Sequence, residues 1–426
     1  MRPPALLQIY QTLGWVLGSV YDFIYRYRAR IGKEDNSRIS ERYGHAQIPC
    51  PEGLLIWIHG ASVGECLLAL ALADEMLKVQ PDLQFLFTSQ TMTSAELLAN
   101  NMQSGQNHQY LPMDTAKAMG RFLDHWQPDL GVLLESEIWP NLIMETRQKK
   151  TPLALVNARM NVKSRESWGK RHNTAKYLFS QFNLITAADD ETAIMLESFT
   201  GEPVSRPGNL KALIKPKTPD NNELAKLSKF AENRPVWLAA STHSGEENIL
   251  LQAHKKILQE QPDTLLILVP RHPERRQEIG DLCQQNNISY CLRSDHITTG
   301  RTVWVADTIG EMQYWLELAQ IVFIGGSLTN GKGHNPIEAI IANKPVLSGS
   351  NVMSFAETYE KLNQLGAVKF TDTQQQISAA IQQHFSNPSI TEPAVTKAGE
   401  WITDAARKMS QQVVPPLLDL LNRSAK

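Results

Sequence analysis

The stretch "LLIWIHGASVGE", Leu54 to Glu65, runs apolar as far as Ile58, stops at His59-Gly60, passes a turn of small residues and reaches a carboxylate. The helical pattern "ECLLALALADEMLKVQ" begins at that carboxylate. A short, nearly continuous apolar run that hands over to a helix reads as a strand buried on both faces of a parallel sheet. Ser62, with Glu65 three residues on, matches a capping box. In that reading Glu65 folds back on the Ser62 amide, and the helix dipole holds its pKa down. In the competing reading the small-residue turn (Gly60, Ala61, Gly64) lets a substrate approach the backbone and Glu65 does chemistry.

The same alternation recurs along the chain. "LQFLFTSQ", "LGVLLESE", "PLALVNA" and "FNLITAA" read as strands in the first half, and "PVWLAAS", "TLLILVP", "TVWVAD", "IVFIGGS" and "KPVLSG" in the second. Helical patterns such as "GEENILLQAHKKILQEQ" separate them, which predicts two doubly wound α/β domains. Between the halves, "GEPVSRPGNLKALIKPKTPD" concentrates Pro203, Pro207, Gly208, Pro216 and Pro219 and reads as a linker. The resulting division is 1–35, an amphipathic anchor helix; 36–207 and 208–400, two Rossmann-like domains; and 401–426, a helical tail.

Bulk composition narrows the function. With 426 residues, 42% hydrophobic, 20% charged and a net charge of -2, there is no basic excess to neutralise nucleic-acid phosphates. Cys50, Cys66, Cys283 and Cys291 form no C-x-x-C pair and show no zinc spacing, so they read as reduced thiols of a cytoplasmic compartment. The N-terminus is the unusual region. In "PALLQIYQTLGWVLGSVYDFIYRYRAR", Leu6, Ile9, Leu13, Val16 or Leu17, Val20 and Ile24 recur near helical spacing. Trp15, Tyr21, Phe23, Tyr25 and Tyr27 are interleaved, and Arg26, Arg28 and Arg30 follow. Gln8, Gln11, Thr12, Ser19 and Asp22 interrupt any span long enough to cross a bilayer. A helix lying in a membrane interface fits the pattern, and so does one that packs on its own protein.

Several strand ends carry residues with chemical potential. "LLESEIWPN" sets Glu135 and Glu137 at one, where two carboxylates on one side are costly unless paired. "GGSLTNGKGHNPIEA", Gly325 to Ala339, feeds a strand into glycines and a polar loop, then a helix expected to start at Asn335 with Pro336 at its first position. Loop amides and a helix N-terminus converging there suit a phosphate. "LAASTHSGEE" and "LVPRHPERR" bring Ser241, His243, Arg271 and His272 to further strand ends, where a guanidinium can hold a phosphate bidentately. Arg275 and Arg276 read as a solvated helix start. No D-x-D pair follows a strand, which argues against a metal-held nucleotide diphosphate, and there is neither a G-x-S-x-G elbow nor a Walker loop.

Nine segments in one order, "ERYG", "WIHGASVGE", "ESEIWPNLI", "VNARM", "GNLK", "AASTHSGEE", "PRHPERR", "DTIGEM" and "GGSLTNGKGHNPIEA", resemble the bacterial 3-deoxy-D-manno-octulosonic acid (Kdo) transferases of lipopolysaccharide synthesis. The resemblance implies a GT-B glycosyltransferase: two facing Rossmann-like domains, acceptor in the first and CMP-sugar in the second. It implies an inverting, metal-independent transfer of Kdo from CMP-Kdo to a lipid A precursor, with no cofactor, at the cytoplasmic face of the inner membrane. Carried onto this sequence, Glu65 is the general base and Glu137 supports it, while Ser62, Gly64, Arg159 and Lys163 lie on the acceptor side. Lys211, Ser241, Arg271, His272, Gly310, Glu311, Gly326, Ser327, Asn335 and Glu338 lie on the donor side. The chain departs from the family pattern at Gly331-Lys332-Gly333, at "SGSNVMSF" and at Ala212-Leu213, all on the donor side. Two alternatives stay open: a paralogue using another CMP-ulosonic acid or acceptor, and a catalytically silent, membrane-associated binding module of the same fold.

Overall fold

The computed structural model describes residues 2–208, 210–214, 219–295 and 297–424. Asn209 of "GNLK" and Pro216 of the expected linker lie outside the described residues, as do the side chains of Trp15, Val16, Leu17 and Ser19. The chain forms two compact units, Met1–Ile214 with Ala405–Lys426, and Lys215–Asp404.

The first unit is a six-stranded sheet: β1 (Leu55–His59), β2 (Gln84–Ser89), β3 (Gln106–Tyr110), β4 (Leu130–Leu134), β5 (Leu153–Ala158) and β6 (Leu184–Ala187). Its strands run parallel in the order β3-β2-β1-β4-β5-β6. The second is seven-stranded: β7 (Val236–Thr242), β8 (Leu265–Pro270), β9 (Tyr290–Leu292), β10 (Val303–Val305), β11 (Ile321–Ile324), β12 (Val346–Ser348) and β13 (Val368–Phe370). Its order is β13-β12-β11-β7-β8-β10-β9, again all parallel. In each sheet the chain builds one side from its first strand, with β10 inserted between β8 and β9 in the second, then returns to the first strand's other side. The topological switch points therefore fall between β1 and β4 and between β7 and β11, where ligands of such sheets bind at the carboxyl ends.

Every residue of β1 is buried, as its unbroken apolar run requires. Trp57 is fully buried and packs edge-on against Phe122 at 5.0 Å. The strands that the pattern missed are β3, β9 and β13. All three stand at or beside a sheet edge, where a strand needs few apolar residues, and β3 reads "QNHQY".

Two expected boundaries move. Residues 208–214 belong to the first unit, because Leu210 and Leu213 are buried in its core and the Leu210 amide donates to Asn157 Oδ1 at 3.1 Å. The C-terminal residues are not a separate tail: Val413, Leu417 and Leu421 are buried in that same core. The helix expected to start at Asn335 runs Ile337–Ile341, with Pro336 as its flanking residue. The Asn335 side chain still caps it, accepting from the Ile337 amide at 3.1 Å.

At the N-terminus α1 (Ala5–Arg30) packs by one face and leaves the other open. Leu7 is buried, Tyr10 donates to Asp114 Oδ2 at 2.9 Å, and Asp22 bonds Tyr43. Burial of Asp114 pushes its pKa up to about 6, against the hydrogen bonds it accepts from the Leu142 amide, Tyr10 and the Asn141 amide. Below the helix, buried Arg42 forks onto Glu34 Oε1 at 2.9 and 2.6 Å and lies over the Tyr25 and Tyr110 rings. This gives Arg42 and Tyr43 of "ERYG" a structural role. Along α1, Leu6, Ile9, Leu13, Val20, Phe23, Ile24 and Tyr27 are exposed. Among the described residues, no helix is long and apolar enough to cross a membrane.

Candidate active site

In the first unit the carboxyl ends of four adjacent strands, β2, β1, β4 and β5, present Thr88, His59, Glu135 with Glu137, and Asn157. Helix α2 (Val63–Val79) starts directly over β1. Gly60 makes that possible, since a Cβ there would meet the backbone and Cβ of Glu65 at 2.9 Å. Ser62 is the N-cap, its Oγ accepting from the Glu65 amide at 3.3 Å. Glu65 does not close a capping box on the Ser62 amide. Its Oε2 accepts from the Ala61 amide at 2.8 Å, and its Oε1 from the Ser62 hydroxyl at 2.9 Å. A carboxylate has about four acceptor positions, so both oxygens keep a free lone pair.

The Glu65 pKa is raised, contrary to the expectation from the helix dipole. Burial is the largest cause; the Ala61 and Ser62 hydrogen bonds oppose it, and the charges of Glu137 and Glu135 raise it further. Glu137 goes the other way. Burial pushes its pKa up, but hydrogen bonding and charge from His59, with the Trp139 indole, bring it below the usual value. The Trp139 Nε1 donates to Glu137 Oε2 at 2.6 Å, and His59 Nε2 lies 3.4 Å from the same oxygen.

Trp57 Nε1, which can only donate, gives its proton to Thr88 Oγ1 at 2.9 Å, and His59 Nδ1 lies 2.9 Å from that hydroxyl and 3.0 Å from the Thr88 carbonyl. Glu135 is settled separately, by Lys211 Nζ at 3.1 Å and Asn157 Nδ2 at 3.4 Å. Lys211, expected on the donor side, thus pairs within the first unit. Arg159 follows β5, and its carbonyl accepts from Ser136 Oγ at 2.7 Å. Its Nε is buried with no partner among the described residues. Lys163 stands exposed on the helix Val162–Gly169, and Ser62 is exposed with Gly64 half-buried in the α2 turn.

In the second unit the corresponding ends are built differently. Gly325 follows β11, and a Cβ there would meet the Ser241 carbonyl at 2.6 Å. Ser241 itself sits at φ 58° at the end of β7. Glu246, fully buried, accepts from the amides of Gly326 at 2.7 Å, Ser327 at 2.9 Å, Leu328 at 2.8 Å and His243 at 2.9 Å. The Gly326 and Ser327 amides, expected to meet a phosphate, are therefore taken by a carboxylate of the protein. Ser327 Oγ donates to the Ile324 carbonyl and accepts from the Gly349 amide, closing the loop onto β12.

Beside that loop His243 and His334 lie with Nε2 atoms 2.7 Å apart and rings stacked, and His272 stands edge-on to His243. Only one of the two facing nitrogens can carry a proton. Burial, then the neighbouring His243 and Arg271, lower the His334 pKa to about 4. Arg271, His272 and Glu338 are exposed, and Asn335 is half-buried. The Glu311 carboxylate is held by Arg293 at 2.8–3.2 Å and by Thr308, and Gly310 beside it is exposed. Arg275 is no solvated helix start: it forks onto buried Glu247 at 2.6 and 3.3 Å. His59, Asn157, Glu246 and the His243–His334 pair carry no motif spacing of their own. "WIHG", "VNARM", "THSGEE" and "GKGHNP" held the hint, polar residues at or after strand ends.

Residues 37–214 match a family model described as 3-deoxy-D-manno-octulosonic-acid transferase (kdotransferase). A probable mitochondrial 3-deoxy-D-manno-octulosonic acid transferase of Arabidopsis thaliana is 32% identical over 428 residues, covering 97% of this chain and 95% of the relative. A 3-deoxy-D-manno-octulosonic acid transferase of Rickettsia bellii (strain RML369-C) is 36% identical over 349 residues, covering 82% and 83%. Among solved structures, a glycosyltransferase from Rickettsia africae ESF-5 superposes with a TM-score of 0.60 at 12% identity, over 87% of this chain and 99% of that one. That likeness is one of fold, and the fold is GT-B.

Proposed function

From the premise that this chain belongs to the 3-deoxy-D-manno-octulosonic acid transferase family, and is a glycosyltransferase that transfers Kdo, we propose that it moves Kdo from CMP-Kdo to a lipid A precursor with inversion at the anomeric carbon, Glu65 acting as general base. The observation that carries the proposal is the opposite tuning of two neighbouring carboxylates: Glu65 is raised and Glu137 lowered. Environments that push two titratable groups apart assign their roles. Glu65, the more basic of the two and with a free lone pair on each oxygen, accepts the proton of the acceptor hydroxyl. Glu137, held ionised by His59 and Trp139, keeps Glu65 basic without competing for that proton.

The hydroxyl oxygen attacks the anomeric carbon from the face opposite CMP. The new C–O bond forms as the bond to the CMP phosphate breaks; the proton goes to Glu65 and the electron pair leaves with the phosphate. In this reading the donor phosphate meets Arg271, His272 and the amides beyond Leu328, because Glu246 occupies those before it. In this reading Asn335 and Glu338 meet the ribose, and Arg159, whose Nε is buried with no partner among the described residues, meets an anionic group of the acceptor. Transfer needs no metal in this scheme: Lys211 already neutralises Glu135 and His59 engages Glu137. The exposed apolar stripe and the trailing Arg26, Arg28 and Arg30 of α1 support a resting place on the inner-membrane surface, cytoplasmic side, where such an acceptor resides.

The test is incubation with CMP-Kdo and the tetraacylated, bisphosphorylated precursor without added metal, following CMP release and the anomeric configuration of the product by NMR. Release of CMP with an inverted linkage is expected. Retention of configuration, or CMP release with no glycolipid product, contradicts the proposal.

A further inference from the structure

A cavity of about 740 Å³ opens between α1 and the helices Val162–Gly169 and His172–Phe179. That is the size of pockets that hold small-molecule ligands, about 300–1,000 Å³. Its walls are apolar: Leu6, Ile9 and Leu13 from α1 face Trp168 and Leu178. Leu6, Ile9 and Leu13 remain exposed although Leu7 and Tyr10, on the same turns, are anchored to the unit. The helix is thus fixed in a position that leaves an apolar slot beside it. Lys163 and Arg171 stand exposed at the rim, and neither is in a salt bridge among the described residues, whereas Arg165 on the same helix is committed to Glu191. Pro140 and Asn161 also line the cavity. Pro140 comes three residues after Glu137 and Asn161 two after Arg159, so the slot borders the segments that follow β4 and β5.

We propose that this slot binds one acyl chain of the glycolipid acceptor, with Lys163 and Arg171 holding an anionic group of its headgroup while the sugar hydroxyl reaches Glu65. An apolar groove with a cationic rim, opening beside a sugar site, fits an anionic amphiphile and not a free sugar. The inference rests on the acceptor reading above and adds to it that the protein, and not the bilayer alone, reads the chain.

The experiment uses acceptors of decreasing acyl length, each below its micelle concentration, and the full chain alongside its Ser164→Trp variant, which places an indole in the slot and leaves the Arg171–Ser167 hydrogen bond in place. Burying a methylene is worth roughly fourfold in affinity. KM for the acceptor is expected to rise severalfold per methylene removed in the parent, and that dependence to flatten in Ser164→Trp. KM for CMP-Kdo and turnover of the fully deacylated acceptor should stay unchanged, which also shows that the variant folds. A chain-length series equally steep in both proteins overturns the proposal. A second readout does not need turnover: an acceptor brominated along its chain should quench tryptophan fluorescence, and Trp168→Phe should remove much of that quenching. Quenching without transfer would sink the transferase reading and leave the slot standing. Quenching insensitive to Trp168→Phe, or given equally by brominated bilayer phospholipid, overturns the slot as an acceptor site.

Discussion

The two sheets place a glutamate at the same point of their topology and use it in opposite ways. Glu65 follows the first strand of the first unit and Glu246 the first strand of the second, each at the start of the following helix and each with a glycine nearby that admits a close backbone approach. What differs is the neighbour across the switch point. Opposite Glu65, β4 ends in two further carboxylates, Glu135 and Glu137, and the site stays partly open. Opposite Glu246, β11 ends in a glycine-rich turn whose three successive amides close on the carboxylate and bury it. A carboxylate ringed by amides is spent on holding a loop. One facing other carboxylates gains basicity. The strand across the switch point, more than the local helix start, decides which fate a glutamate meets.

The largest effect that can break this contrast is at Glu65. Glu65→Gln keeps the acceptor for the Ala61 amide and removes the proposed base, so transfer should fall by about 10²–10⁴-fold. Its unfolding free energy should change by no more than about 1 kcal/mol. Turnover kinetics and denaturant unfolding on the same preparation check both. Glu246→Ala should show the reverse emphasis: four amides lose their partner, and the protein should lose about 3 kcal/mol or more of stability. A stable Glu246→Ala protein would mean that the buried carboxylate is not what shapes the loop. Arg159→Met sharpens the acceptor side: KM for the phosphorylated acceptor should rise about tenfold, the scale of one hydrogen bond to a charged group, with little change for the donor. Equal loss toward a dephosphorylated acceptor would contradict the role given to its unpartnered Nε.

Much of the architecture was legible in the chain because buried parallel strands announce themselves as apolar runs, and β1, β4 and β7 do so without polar interruption. Edge strands such as β3 do not, since one face of pairing is absent and polar residues are tolerated there. The position of Glu65 could be read from "WIHGASVGE", but its environment could not. Its pKa is set by burial and by residues from β4, and His59, Thr88, Glu137 and Trp57 converge from three strands with no common spacing. Glu246 was invisible for the same reason, as its partners come from a loop 80 residues away. The pairing of Lys211 with Glu135 was hidden because a proline-rich segment looks like a linker before its leucines are seen buried in the first unit's core.

The most direct test of the contrast is the pH dependence of kcat/KM for the wild type, Glu137→Gln and Glu65→Gln. The charge of Glu137 adds to burial in raising the proton affinity of Glu65, so neutralising it lowers that affinity. With Glu65 as the proposed base, activity requires it ionised and is lost as pH falls through its pKa. Glu137→Gln should therefore move the acid limb to lower pH while reducing the maximal rate, and the limb should vanish from the residual activity of Glu65→Gln. An acid limb that stays in place in Glu137→Gln, or persists unchanged in Glu65→Gln, would show that the carboxylates across the switch point do not tune the base.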